Sequence, residues 1–197
     1  MIQSNRDALI VFARNPILGK VKTRLAKDVG EDRALEVYIN LLNHTYIQTK
    51  NLFCDKFLFL SEKTDNNLFD KTFNQLVQNG NGLGEKMKIA FKKLFEMGYQ
   101  KILIIGTDCP GLTEEIILNA FEYLLGFDFI IGPSIDGGYY LLGMKEPNYF
   151  VFENMVWSNE QVLNRTIKKI KSKNKKFHLL KELKDIDEEK DFHTVLF

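Results

Sequence analysis

The chain is poor in the features that would staple, anchor or address it. Its 197 residues hold two cysteines, Cys54 and Cys109, far apart in sequence. Two thiols do not make a disulfide framework in a chain of this length, and they point to a reducing compartment. Charge of one sign is also missing. Against 27 Lys and Arg stand 26 Asp and Glu, a formal net charge of +1. No global field selects nucleic acid or an anionic membrane, so any anion site must be local. Long hydrophobic runs are absent too. The first apolar stretch, Ala8 to Ala13, is too short for a signal peptide or a membrane span, and the expected location is cytoplasmic. There is no G-x-S-x-G and no zinc-ligand spacing. His44, His178 and His193 read as packing or surface residues. Aromatic residues fall at core positions, not between basic ones, which argues against nucleic-acid binding.

What is present is an ordinary globular composition, 45% apolar and 27% charged, in a chain long enough to bury its own core. Short β-forming runs alternate with helical patterns. "ALIVFA", "KFLFLS", "KILIIG", "DFIIGP" and "GYYLLGM" read as strands, "FNQLV" as a short strand, and "KFHLL" as a late one. Helical spacing marks "EDRALEVYINLLNHTYIQT", "GEKMKIAFKKLFEMG", "EEIILNAFEYLLG" behind Thr113 as N-cap, "NEQVLNRTIKKIKSKNK" and a closing "EEKDFHTVL". The segment "RNPILGKVKTRLAKDVG" reads as a long loop. The alternation predicts one α/β domain over residues 1–197, with a largely parallel sheet covered on both faces.

Ligands of such sheets gather beyond the carboxyl ends of the strands. Asp108 stands just past one such end, in "ILIIGTDCPGL", and Pro110 keeps Cys109 from helical angles. The acid is either a structural turn or a ligand-side group. Cys109 reads as packing rather than as a nucleophile. Beyond the first strand lie Lys20, Lys22 and Arg24, which suit phosphate unless they form a solvated turn. A Walker A loop is excluded, because Arg14 stands where glycine is required and Val21 where Ser or Thr is required. In "GPSIDGGYYLLG", Asp136, Gly137 and Gly138 are a hairpin signal; the glycines could equally let a substrate approach, with Asp136 aimed at it. Gly82 and Gly84 precede a helix whose N-terminus could face a nucleotide or simply start there. Asp185 and Asp187 lie at a strand-to-helix junction, where an N-cap accounts for one and a metal ligand is open for the other.

Taken together, "FARNPILGKVKTRLA", "GLGEKM", "GTDCPGL", "GPSIDGGYYLLG", "WS" and "DID" resemble a bacterial family of GT-A-type transferases. That family is described as radical-SAM/selenodomain-associated transferase 1, or as an arsenosugar-biosynthesis glycosyltransferase. The resemblance runs from about Ala8 to Phe192. It implies the fold of the nucleotide-diphospho-sugar transferase superfamily, a three-layer α/β/α sandwich with a mostly parallel, mixed sheet. It implies a nucleotide or nucleotide-sugar donor, a small-molecule acceptor, and Mg²⁺ or Mn²⁺ held by Asp108. Asp187 is a second candidate metal ligand. Lys20, Lys22 and Arg24, with Gly84, would bind the nucleotide. Asp136 would act on the acceptor beside Gly137 and Gly138. "KTRLA" also resembles the basic loop of 2-phospholactate guanylyltransferase, a nucleotidyltransferase of the same superfamily. Three readings therefore stand: glycosyl transfer, nucleotidyl transfer releasing pyrophosphate, and a nucleotide-binding module without turnover. "DIDEEKDF" departs from the family's "DIDTPEDL", "WSNE" from its "WSTP", and Lys86 stands where arginine is common.

Overall fold

A computed structural model of the chain describes residues 6–64 and 68–192. Seven strands form one sheet: β1 (Asp7–Ala13), β2 (Asp55–Leu60), β3 (Phe73–Val77), β4 (Lys101–Ile105), β5 (Phe129–Pro133), β6 (Tyr139–Met144) and β7 (Phe177–Leu179). Their spatial order is β3-β2-β1-β4-β6-β5-β7. Only β6 runs against the others, pairing antiparallel with both β4 and β5. The α/β architecture with a mostly parallel, mixed sheet follows the alternation in the sequence.

Each central strand feeds two cores, because successive side chains point to opposite faces. From β1, Leu9, Val11 and Ala13 enter one core, with Tyr38 and Leu42 of α2 (Glu31–Thr49) and Ile117 and Phe121 of α4 (Glu114–Tyr123). Ala8 and Ile10 enter the other, with Met87, Phe91 and Leu94 of α3 (Gly82–Glu96) and Ile170 of α5 (Val162–Ser172). This double burial is why the strands read as unbroken apolar runs. Thr113 caps α4, accepting from the Ile116 amide at 3.3 Å. Gly98, at φ +92°, follows α3 in the left-handed region that ends helices.

Two elements differ from expectation. The segment read as a loop contains a one-turn helix, α1 (Leu25–Val29), because Leu25 is buried among Ala34, Val37 and Leu41. Gly30 stops it at φ +84°. A short 3₁₀ turn, Tyr149–Phe152, has too little sequence period to be seen in advance. The closing helix begins as α6 (Glu189–Phe192); the rest of that expected element, with His193, lies outside the described residues. Among the described residues no helix is long and apolar enough to cross a membrane.

Candidate active site

Beyond the carboxyl ends of β1 and β4 the chain leaves a cavity of about 690 Å³. Its walls include Ala13 to Asn15, Lys20, Lys22, Lys86, Thr107, Asp108 and Asp185. The Tyr38 phenol braces this rim. It accepts from the Arg14 amide at 2.7 Å and donates to the Arg14 carbonyl at 2.9 Å. Burial pushes its pKa up to about 12, so it stays a neutral donor. The helix period of α2 marked Tyr38 only as core; its hydroxyl links the core to the site.

Asp108 arrives from β4 through a turn closed by Leu112 N to Cys109 O at 3.2 Å. Cys109 is buried in the core, and burial pushes its thiol up to about 12. It is packing, as its sequence context suggests. The C-terminal segment comes alongside. Leu183 bridges to Ser134 in parallel, and Ile186 N donates to Asp108 O at 3.0 Å. Asp185 and Asp187 are thereby placed beside Asp108. Neither is a helix cap. Asp191 does that work, accepting from the amides of Asp187 and Glu188 at 3.1 and 2.9 Å.

Lys22 sits at the centre. Its ammonium lies 2.5 Å from Asp108 Oδ1 and 3.5 Å from Asp187 Oδ1, and donates to the Ile186 carbonyl at 2.6 Å. Only 5% of its side chain is exposed, against 47% for Asp108 and 43% for Asp187. The three loop cations thus do not form one clamp. Lys20 faces the large cavity, with Glu62 at 3.7 Å. Arg24 faces a second cavity of about 520 Å³, lined also by Arg14, Lys22, Asp136, Ser158, Asn159 and Asp187. Arg14 and Lys22 border both spaces.

The hairpin acid is partly committed to its own turn. Asp136 Oδ1 accepts from Ser134 Oγ at 2.5 Å and from the Gly138 amide at 2.9 Å. Gly137, at φ +84°, leaves no room for a side chain: a Cβ would meet the Glu160 carbonyl oxygen at 2.2 Å. Neither Gly137 nor Gly138 lines either of these two cavities. Gly84 likewise lies under the Trp157 indole, where a Cβ would meet Nε1 at 2.1 Å, and the cavity wall is made by its neighbours Gly82 and Leu83. The close neighbours of these three glycines in the structure are Trp157, the Glu160 backbone, and the Asp136 and Ser134 side chains.

Asp185 was legible only as half of a junction motif. One of its oxygens is buried without a hydrogen-bond partner. Burial, then the charges of Asp108 and Asp136, push its pKa up to about 7, against the pull of Lys22. The donor set also bears on the divalent cation that the sequence resemblance implies. Among the described residues no three His, Cys, Asp or Glu side chains form a cage. Asp108 and Asp187 nevertheless converge on one point, the Lys22 ammonium, and Asp185 adds an orphaned oxygen nearby. That set suits Mg²⁺ or Mn²⁺, which take one or two carboxylates and complete the shell with water and substrate phosphates.

Residues 46–159 match the model of a family described as an uncharacterized protein conserved in bacteria, DUF2064. The chain belongs to this family. A crystal structure from Desulfovibrio desulfuricans G20, described provisionally as a nucleotide-diphospho-sugar transferase, superposes with a TM-score of 0.86 at 29% identity, over 93% of this chain and 83% of that one. The 4-diphosphocytidyl-2C-methyl-D-erythritol synthase of Anaerococcus prevotii shares the fold at 12% identity, with a TM-score of 0.62 over 98% and 95% of the two chains. In sequence the chain is 28% identical over 142 residues to 2-phospho-L-lactate guanylyltransferase of Methanocaldococcus vulcanius, 71% of this chain. The matched stretch spans 62% of that relative. The fold is therefore that of nucleotide-diphospho-sugar transferase-like proteins.

Proposed function

We propose that this DUF2064 protein is a metal-dependent transferase that takes a nucleotide-sugar donor in the larger cavity and a small acceptor in the smaller one. One observation carries the reading: the two cavities meet at Lys22, beside the carboxylates of Asp108 and Asp187. A donor's diphosphate at that junction would lie next to the acceptor space. Its narrower form follows the resemblance to the radical-SAM/selenodomain-associated transferases.

The chain's own groups have separable tasks. Asp108 and Asp187 would hold Mg²⁺ or Mn²⁺, which supplies charge stabilisation to the leaving nucleoside diphosphate. Lys20 and Arg14 offer fixed positive charge to the phosphates from the other side. Asp136 borders the acceptor space, and its Oδ1 is fixed by the turn. From there it would orient the acceptor hydroxyl and take its proton. The strand-end wall with Leu83 and Met87 gives the nucleoside an apolar surface.

A second reading, nucleotidyl transfer, is favoured by the sequence likeness to the guanylyltransferase. The same groups would hold a nucleoside triphosphate, an acceptor phosphate would attack the α-phosphorus, and pyrophosphate would leave. Thermal-shift measurements with nucleoside triphosphates and nucleotide sugars, with and without Mg²⁺ or Mn²⁺, test the shared part. We expect metal-dependent stabilisation by at least one nucleotide. Product analysis with that nucleotide separates the readings: a released nucleoside diphosphate supports sugar transfer, pyrophosphate supports nucleotidyl transfer. Binding without turnover on any acceptor would leave only the nucleotide-binding module.

A further inference from the structure

Lys22 is placed unlike the cations around it. Lys20 and Arg24 are 65% and 69% exposed; the Lys22 side chain is 5% exposed. Its backbone is in the left-handed region at φ +46°, which a residue with a Cβ adopts only when its surroundings enforce it. From that backbone the side chain reaches a seat with two carboxylates and the Ile186 carbonyl around one nitrogen. The two carboxylates are wetter than the cation they hold. Around this seat gather Asp108, Asp136, Asp185 and Asp187, while Lys22 and Arg24 are the cations in contact with them. The cluster is short of positive charge and has one cation buried at its centre.

The geometry points to Lys22 as a built-in placeholder cation. With the site empty, its ammonium neutralises Asp108 and Asp187. When divalent cation and nucleotide arrive together, Lys22 leaves the carboxylates and turns to the phosphates. This rests on the metal reading above. Its physical basis is repulsion: an ammonium and a divalent cation on the same two carboxylate oxygens repel each other at close range, so each weakens the other's hold. Lys22 has somewhere to go, since it borders both cavities. Metal alone must displace the ammonium with nothing to receive it. Metal with nucleotide offers the ammonium new anionic partners. The two ligands should therefore bind with strong positive coupling, and Lys22 should carry that coupling.

The test is Mn²⁺ affinity without nucleotide, read from the free-Mn²⁺ paramagnetic resonance signal, in wild type, Lys22→Met and Lys22→Arg. Lys22→Met should bind Mn²⁺ alone about tenfold or more tightly than wild type, because the competing charge is gone. Lys22→Arg should stay as weak as wild type. Unchanged or weaker Mn²⁺ binding in a folded Lys22→Met protein would overturn the proposal. A measurement on wild type stands if that variant does not fold. The ¹⁵N ammonium resonance of Lys22, identified by its loss in Lys22→Arg, should be protected in the empty protein. It should shift or vanish on adding Mg²⁺ with a nucleoside diphosphate. A resonance that persists unmoved refutes the exchange. If the resonance stays unmoved while nucleotide binding still needs metal and still fails in Asp108→Asn, the exchange has failed but the metal reading stands. Loss of both would remove the two together.

Discussion

The two cavities that meet at Lys22 are built by different means. The larger is framed by strand ends, the first two turns of a long helix and part of the basic loop, with Ala13, Ile105, Gly106, Met87 and Lys20 in its wall. The smaller is framed almost wholly by loops: the basic loop, the Asp136 hairpin and the Ser158–Glu160 turn. The first inherits its position from the sheet and could be located from the sequence alone. The second exists because a hairpin docks on the start of α5, where Leu163 N donates to Gly137 O at 2.9 Å. A nucleotide space built on strand ends and an acceptor space built on loops would let a common scaffold take different acceptors.

If that division is right, substitutions should sort by cavity. Asp108→Asn strikes the junction and should cost the most, about 100-fold or more in turnover, with metal-dependent nucleotide stabilisation lost in the same variant. Stabilisation retained there would take the metal away from Asp108. Next in size is Asp136→Asn, which keeps an oxygen for Ser134 and Gly138 and so should leave the melting temperature alone. Turnover should fall about 100-fold, the lower end for a lost proton acceptor. An unchanged rate would make the acid a hairpin device only.

The sharpest contrast comes from two members of one loop. Lys20→Ala should weaken nucleotide affinity about tenfold and spare the acceptor KM. Arg24→Ala should do the reverse. Equal effects of both variants on one ligand would collapse the two cavities into a single site.

The smallest effect concerns Asp185. Its folded pKa of about 7 lies above the ordinary carboxylate value, so the native state holds a proton that the unfolded chain gives up. In chelator-treated protein, stability should therefore fall as pH rises from about 4 to about 7. Asp185→Asn should flatten that slope and raise the melting temperature at pH 8 by a few degrees, on the order of 1–2 kcal/mol. An unchanged slope would place the unpaired oxygen in water.

Much of this was legible in the chain, and the rest was hidden for identifiable reasons. Burial on both faces of the sheet writes itself as apolar runs, so the strands and the rim position of Asp108 could be read directly. Local motifs were less informative about use. Gly84, Gly137 and Gly138 look like a ligand's approach path, yet two of them yield to Trp157 and to the Glu160 backbone and the third bonds Asp136. A glycine signals close approach without saying what approaches. Lys22 looked like one of three equivalent cations, and only the fold shows it buried between acids that follow it by 86 and 165 positions. The Tyr38 hydroxyl and the orphaned oxygen of Asp185 gave no usable signal, because both are properties of packing; the sequence marked Tyr38 only as core and Asp185 only as half of a junction motif.

The most direct measurement is a crystal of the protein grown with Mn²⁺ and the nucleotide that stabilises it, recorded at a wavelength where manganese scatters anomalously. The account predicts one manganese peak at about 2.1–2.2 Å from an Asp108 carboxylate oxygen, with the nucleotide's phosphates between it and Lys20. A nucleotide bound elsewhere, or one bound at the strand ends with no manganese at Asp108, would contradict it.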